Sequence, residues 1–425
     1  MNVASWQRRI KVLMWISYAS LYLGRVNLAM ILPAMERDLG WSTAQLGLVG
    51  GVFFWVYAFG QLINGHLGDR FSSKGIVLIG LVGTALMNLF AGFVSSFFLM
   101  VILWAINGCF QSMGWGPIVK MTSNWFSENE RGQMTGILGT SSVGGFMLSW
   151  FLASRIIARY PDQWRLVLWI PSVLLMVMAI LWAILAKDRP EDLGFAPINP
   201  VSKVEPPKES IGVILKENFA FFGNFTLLLL AVASSLQGMV KEGINLWAPT
   251  LLMQAHHLPA ADATSYALWI PPLGFFGVLL AGKLSQRAGG NESRTIVGMY
   301  IVVGIVSLVG AWLIKLPYFA LTVLTVAICS GLIYGINALL MVSIPLRFQS
   351  VGKESTVAGF MDFASYVGSG LTGVVTGALL QYWDWSRILV LWGIVCGLGA
   401  VIVNMSKLES LAARRESGAA ELAEQ

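Results

Sequence analysis

The chain has 425 residues, 56% of them hydrophobic and only 12% charged, and a soluble domain needs roughly 25% charged residues to cover a water-facing surface. Its net charge of +6 is spread thinly, which excludes a basic nucleic-acid face and a charged disordered chain. What remains is an integral membrane protein with length for about a dozen helices of about 20 residues each.

In chain order, the opening MNVASWQRRIK is short and basic with no small-residue cleavage site after it, and reads as a retained cytoplasmic end. Span one (11–34) carries Arg25 near its middle, with Tyr22 and Tyr18 three and seven residues earlier on one helical face. Span two (46–66) sets Tyr57 and Gln61 one turn apart and runs out through Asp69 and Arg70. Spans three (75–95), four (97–122), five (132–156) and six (165–186) follow. Trp115 lies in span four, and Ser141 lies in span five within GTSSVGG (139–145), whose small residues read as a close-packing face. A segment rich in Pro and charge (187–210) separates this half from the next.

In span seven (222–253) Gln237, Lys241 and Asn245 repeat every four residues and form a polar stripe. Glu242 stands roughly 100° around the helix from Lys241, a position from which it can point away. Spans eight (263–286), nine (295–315), ten (317–342, with Tyr334), eleven (354–381) and twelve (387–406) complete the set. In span eleven Asp362, Tyr366 and Ser369 share a face. Apolar runs this long must be helices, because a spanning segment has to satisfy its own backbone hydrogen bonds. The expected fold is therefore an all-α polytopic membrane protein of 12 helices in two bundles. The expected bundles are 1–186 and 219–406, with a cytoplasmic linker at 187–218 and a cytoplasmic tail at 407–425.

With the N-terminus inside, 20 of the 28 Lys and Arg fall in cytoplasmic segments, as the positive-inside rule requires, so both termini are expected in the cytoplasm. The halves also repeat. Gly65-His-Leu-Gly-Asp-Arg70 returns as Gly282-Lys-Leu-Ser-Gln-Arg287, and Arg25 and Pro33 return as Lys241 and Pro249, at offsets of 216 to 222 that include the Trp164-Arg165 and Trp385/Arg387 pair. Two related six-helix bundles with a substrate site near the midplane are the physical reading. Ionisable groups at that depth are costly, so Arg25 and Lys241 are candidates for an anionic ligand. A structural ion pair with Asp362 or Glu242 is the alternative. Cys109, Cys329 and Cys396 lie in apolar runs and make neither a disulfide framework nor a metal site; no cofactor, no metal and no enzyme activity is expected.

The stretch GHLGDRFSSK (65–74) resembles the loop signature of the major facilitator superfamily, in which its Asp69 and Arg70 would gate the cytoplasmic side. YASLYLGRVNLAMILP (18–33), QSMGWGPIVKMTSNWFSENERG (111–132), KDRPEDLGFAP (187–197) and KEGINLWAPTLL (241–252) are similar to the organophosphate:phosphate antiporters, the family of glycerol-3-phosphate and hexose-phosphate transporters. The resemblance implies that Arg25 and Lys241 clasp a phosphate, and that Tyr18, Tyr22, Tyr57, Trp115, Tyr334 and Tyr366 are pocket aromatics. It departs from the family at Gln61 and Ser141, where glycerol-phosphate carriers have Lys and His. The implied function is exchange of a small organic phosphate for inorganic phosphate by a monomer in a bacterial-type inner membrane. A proton-coupled symporter of a sugar acid, with Asp362 or Glu242 as the proton carrier, is the runner-up, and a membrane sensor of the same fold is the third reading.

Overall fold

The computed structural model of the chain describes residues 2–198, 224–347 and 354–406. Fifteen helices carry its fold, and no strand occurs among the described residues. The first eight are α1 (Val3–Leu23), α2 (Asn27–Leu39), α3 (Thr43–Arg70), α4 (Ser73–Ala91), α5 (Phe97–Gln111), α6 (Trp115–Trp125), α7 (Glu128–Arg159) and α8 (Leu166–Leu185). The others are α9 (Phe225–His256), α10 (Ala260–Ala267), α11 (Ile270–Arg287), α12 (Glu292–Leu313), α13 (Phe319–Ala338), α14 (Glu354–Leu379) and α15 (Trp385–Met405). A π turn (Leu339–Ser343) and a short helical turn (Ile344–Leu346) extend α13.

Ten helical stretches among the described residues are long and apolar enough to cross a membrane. Spans one and eleven of the sequence fall outside that ten. Span eleven lies in α14, whose polar side chains include Asp362, Ser365 and Ser369. Span one is not a single helix: α1 stops at Leu23, a turn occupies Gly24–Val26, and α2 resumes at Asn27. Span four is likewise broken between Gln111 and Trp115. Both breaks contain a glycine, whose weak helix propensity the apolar run conceals.

Packing groups the residues into two units. The first comprises Met1–Lys208, Asn245–Leu268 and Gly373–Gln381, and the second Glu209–Ile244, Trp269–Thr372 and Tyr382–Gln425. In the first, α1 lies on α7, α3 on α5 and α4 on α8. Its core includes Met14, Leu21, Ile118, Met121, Trp125, Leu175 and Trp182. The close-packing reading of GTSSVGG fits here, since a Cβ added at Gly145 would lie 2.3 Å from the Ala19 carbonyl oxygen of α1. The segment 187–194 is folded back onto this unit. Asp188 accepts from the Ser72 hydroxyl and, at 2.6 Å, from the Lys74 backbone N–H, which caps the N-terminus of α4. The Lys187 carbonyl accepts from Trp125 Nε1 at 2.9 Å. In the second unit α11 packs on α13 and α12 on α15, and Tyr300 donates from its buried hydroxyl to the Ala233 carbonyl at 2.7 Å.

Candidate functional site

Arg25 belongs to the turn that interrupts span one, so it does not share a continuous helix face with Tyr18 and Tyr22 as its spacing suggests. The ring contact with Tyr22 is nevertheless made. The guanidinium carbon lies 4.6 Å from the centre of the Tyr57 ring, 5.3 Å from Tyr22, 5.6 Å from Phe53 and 5.9 Å from Phe54. Four aromatic rings around one cation attract it through their quadrupoles. Hydrogen bonding belongs to the guanidinium's N–H edge, the part that matches a phosphate or carboxylate. Tyr18 extends the cluster, meeting Tyr22 edge-on at 5.7 Å and Trp115 at 4.9 Å. Gln61 donates to the Tyr57 hydroxyl at 3.0 Å. Ser141 is buried and its hydroxyl bonds to the Leu138 carbonyl of its own helix.

Lys241 lies on α9, which is unbroken across this level, and its environment differs. Its ammonium nitrogen is 3.3 Å from Glu242 Oε1, with both side chains about nine-tenths buried. Glu242 does not point away: the four-carbon lysine stem is long enough to bend round the helix to an adjacent residue. Tyr366 and Tyr334 present their rings to the same ammonium at 5.6 and 5.9 Å. One turn earlier Gln237, fully buried, accepts from Ser365 at 3.1 Å and donates to the Ile333 carbonyl at 3.3 Å. Asp362 is partly buried one turn before Tyr366 on α14. Asn245 is buried one turn beyond Lys241, where α9 enters the first packing unit. Helix α3 continues to Arg70, but the side chains of Asp69 and Arg70 lie outside the described residues. Among the described residues no group of His, Cys, Asp and Glu could hold a metal ion.

Residue types alone did not single out two parts of this arrangement. Phe53 and Phe54 read as ordinary apolar positions, although they lie one turn before Tyr57. The buried amides Asn88, Asn107 and Gln111 carry one recognisable signal, a polar side chain inside an apolar run.

The family model described as Major Facilitator Superfamily matches residues 14–373. The chain is 27% identical to the "Probable hexose phosphate transport protein" of Chlamydia trachomatis serovar D, over 94% of this chain and 90% of that one. It is 25% identical to the "Membrane sensor protein UhpC" of Escherichia coli strain K12, over 94% and 91% of the two chains. Among solved structures, that of the nucleoside transporter NupG matches with a TM-score of 0.72 and 17% identity over 96% of this chain and 98% of that one, a likeness of fold.

Proposed function

The chain belongs to the Major Facilitator Superfamily, and from that premise we propose that it exchanges an organic phosphate ester for inorganic phosphate. It is a multi-pass membrane transporter and not an enzyme, and its relatives belong to the organophosphate:phosphate antiporter group. The proposal extends to a monomer in a bacterial-type inner membrane with both termini in the cytoplasm. One observation carries the reading: a cation stands at matching places in the two sequence repeats, Arg25 and Lys241, and each is backed by tyrosine rings. The hexose phosphate named for the chlamydial relative supports a phosphorylated sugar or similar ester as the substrate.

A phosphate ester carries up to two negative charges, and taking it out of water is expensive unless paired charges offset the loss. Arg25 supplies two parallel N–H donors and Lys241 a point charge. Lys241 is paired with Glu242 at 3.3 Å, so an incoming anion meets a cation that already has a carboxylate beside it. The incoming phosphate competes with the Glu242 carboxylate for Lys241. Exchange follows if the carrier reorients slowly until that competition is won, because return then requires a second anion.

The Lys241–Glu242 pair also favours a second reading, a proton-coupled symporter, since a carboxylate beside the cation can exchange a proton with the substrate's charge. Asp362 separates the two. In an exchanger the counter-substrate supplies the driving force, so Asp362→Asn is expected to keep phosphate-loaded exchange within a few-fold of wild type. Measured in proteoliposomes, a variant that still binds but no longer concentrates substrate along an inward proton gradient would overturn exchange in favour of symport. A sensor, the third possibility, would bind phosphate ester with no counterflow at all.

A further inference from the structure

Around the turn at Gly24–Val26 the Tyr22 carbonyl accepts from the backbone N–H groups of Arg25 and Val26, and the Leu21 carbonyl from that of Gly24. The carbonyls of Leu21, Gly24 and Val26 accept from side chains of other helices. Gln111 Nε2 of α5 donates to the Leu21 carbonyl at 2.8 Å. Asn107 Nδ2 of α5 and Asn88 Nδ2 of α4 both donate to the Gly24 carbonyl, at 2.9 and 3.1 Å. Trp150 Nε1 of α7 donates to the Val26 carbonyl at 3.1 Å. Asn27, the first residue of α2, donates to Asn88 Oδ1 at 2.9 Å and to the Val167 carbonyl at 3.0 Å. The peptides on either side of Arg25 are thus pinned from three helices. Gly24 has no room for a side chain, because an added Cβ would lie 2.6 Å from Asn88 Nδ2 and 2.7 Å from Thr84 Cγ2.

Stability alone does not explain this network. Asn27, Asn88, Asn107 and Trp150 are fully buried and Gln111 nearly so. The Oδ1 atoms of Asn27 and Asn107 are buried without a hydrogen-bond partner, although an orphaned buried acceptor is costly. A continuous apolar helix would have avoided both the break and the orphans. The counterpart cation, Lys241, stands on an unbroken helix and has no such pinned turn. What the break changes is the backbone that carries Arg25, and hence the direction of its guanidinium.

We infer that Asn88, Asn107 and Gln111, with Trp150, are positioning residues that hold the span-one turn so that Arg25 meets the transported anion with its N–H edge. The inference rests on the anion-site reading of Arg25 given above. Such residues never touch the anion; they act through Arg25, whose bidentate geometry tolerates little displacement.

The experiment uses inorganic phosphate as the probe and purified full-length protein in detergent, with affinity read from intrinsic tryptophan fluorescence and folding from melting temperature. Asn107→Leu and Gln111→Met, each with the same number of side-chain heavy atoms or fewer than the residue replaced, are made in the wild type and in an Arg25→Lys background. In the wild type each is expected to weaken phosphate binding between about tenfold and 100-fold. In the Arg25→Lys background, where the fork is already gone, the further loss is expected to stay under about twofold, because sites acting as one unit do not add. Should Asn107→Leu fail to fold, Gln111→Met and Trp150→Phe remove a donor from other carbonyls of the same turn and give the same comparison. Wild-type affinity in a folded variant, or an equal loss in both backgrounds, would reduce the network to a structural role and overturn the inference. A wild type that binds no phosphate would instead overturn the anion site itself, and the inference with it.

Discussion

Arg25→Ala is expected to abolish phosphate binding in a protein that still inserts and folds. Of the four rings around the guanidinium, Phe53 packs with Phe54 and Tyr57, and Tyr22 packs with Tyr18, so each ring keeps an aromatic neighbour without the cation. Truncating one partner of a desolvated, hydrogen-bonded charge pair costs about 2–5 kcal/mol, which is a loss of about 30-fold or more in affinity. Arg25→Lys should recover part of that, restoring the charge without the fork. Titration of the purified variants with phosphate decides it. Near-wild-type affinity in folded Arg25→Ala would remove Arg25 from the anion site.

The second large effect is expected at Lys241. Lys241→Arg keeps the charge and should exchange substrate within a few-fold of wild type, whereas Lys241→Gln should lose between about tenfold and 100-fold, since charge in a low-dielectric site is what that position supplies. Lys241→Gln also strands a buried carboxylate, and breaking a buried pair from one side costs about 3–5 kcal/mol. The double variant Lys241→Gln/Glu242→Gln should therefore melt higher than Lys241→Gln alone while exchange stays impaired. Glu242→Gln by itself removes the competitor for Lys241 and should tighten phosphate binding. If Lys241→Gln exchanged as fast as Lys241→Arg, the Lys241–Glu242 pair would be a structural ion pair and nothing more.

Much of this was legible in residue order because membrane helices announce themselves by length and hydropathy. The cations stood out for the same reason, as costly groups in apolar runs at matching repeat positions. What composition could not show is where a helix stops within an apolar run. The turn at Gly24–Val26 is bonded by amides of α4 and α5 and an indole of α7, about 60 to 125 residues away, a tertiary arrangement with no local signature. The Glu242 side chain is hard to place from spacing for a related reason. Angular position fixes where Cβ points, but a lysine stem spans several ångströms and reaches back to its neighbour. Phe53 and Phe54 escaped notice because an aromatic ring facing a cation and one facing lipid are the same letters.

Counterflow in proteoliposomes tests the central claim most directly. Vesicles of purified wild-type protein are loaded with inorganic phosphate or with a phosphate-free buffer, and uptake of labelled hexose phosphate is followed with and without an inward proton gradient. The exchanger account expects rapid uptake only into phosphate-loaded vesicles, little changed by the gradient and lost in Arg25→Ala. Gradient-driven accumulation in vesicles containing no phosphate would contradict it.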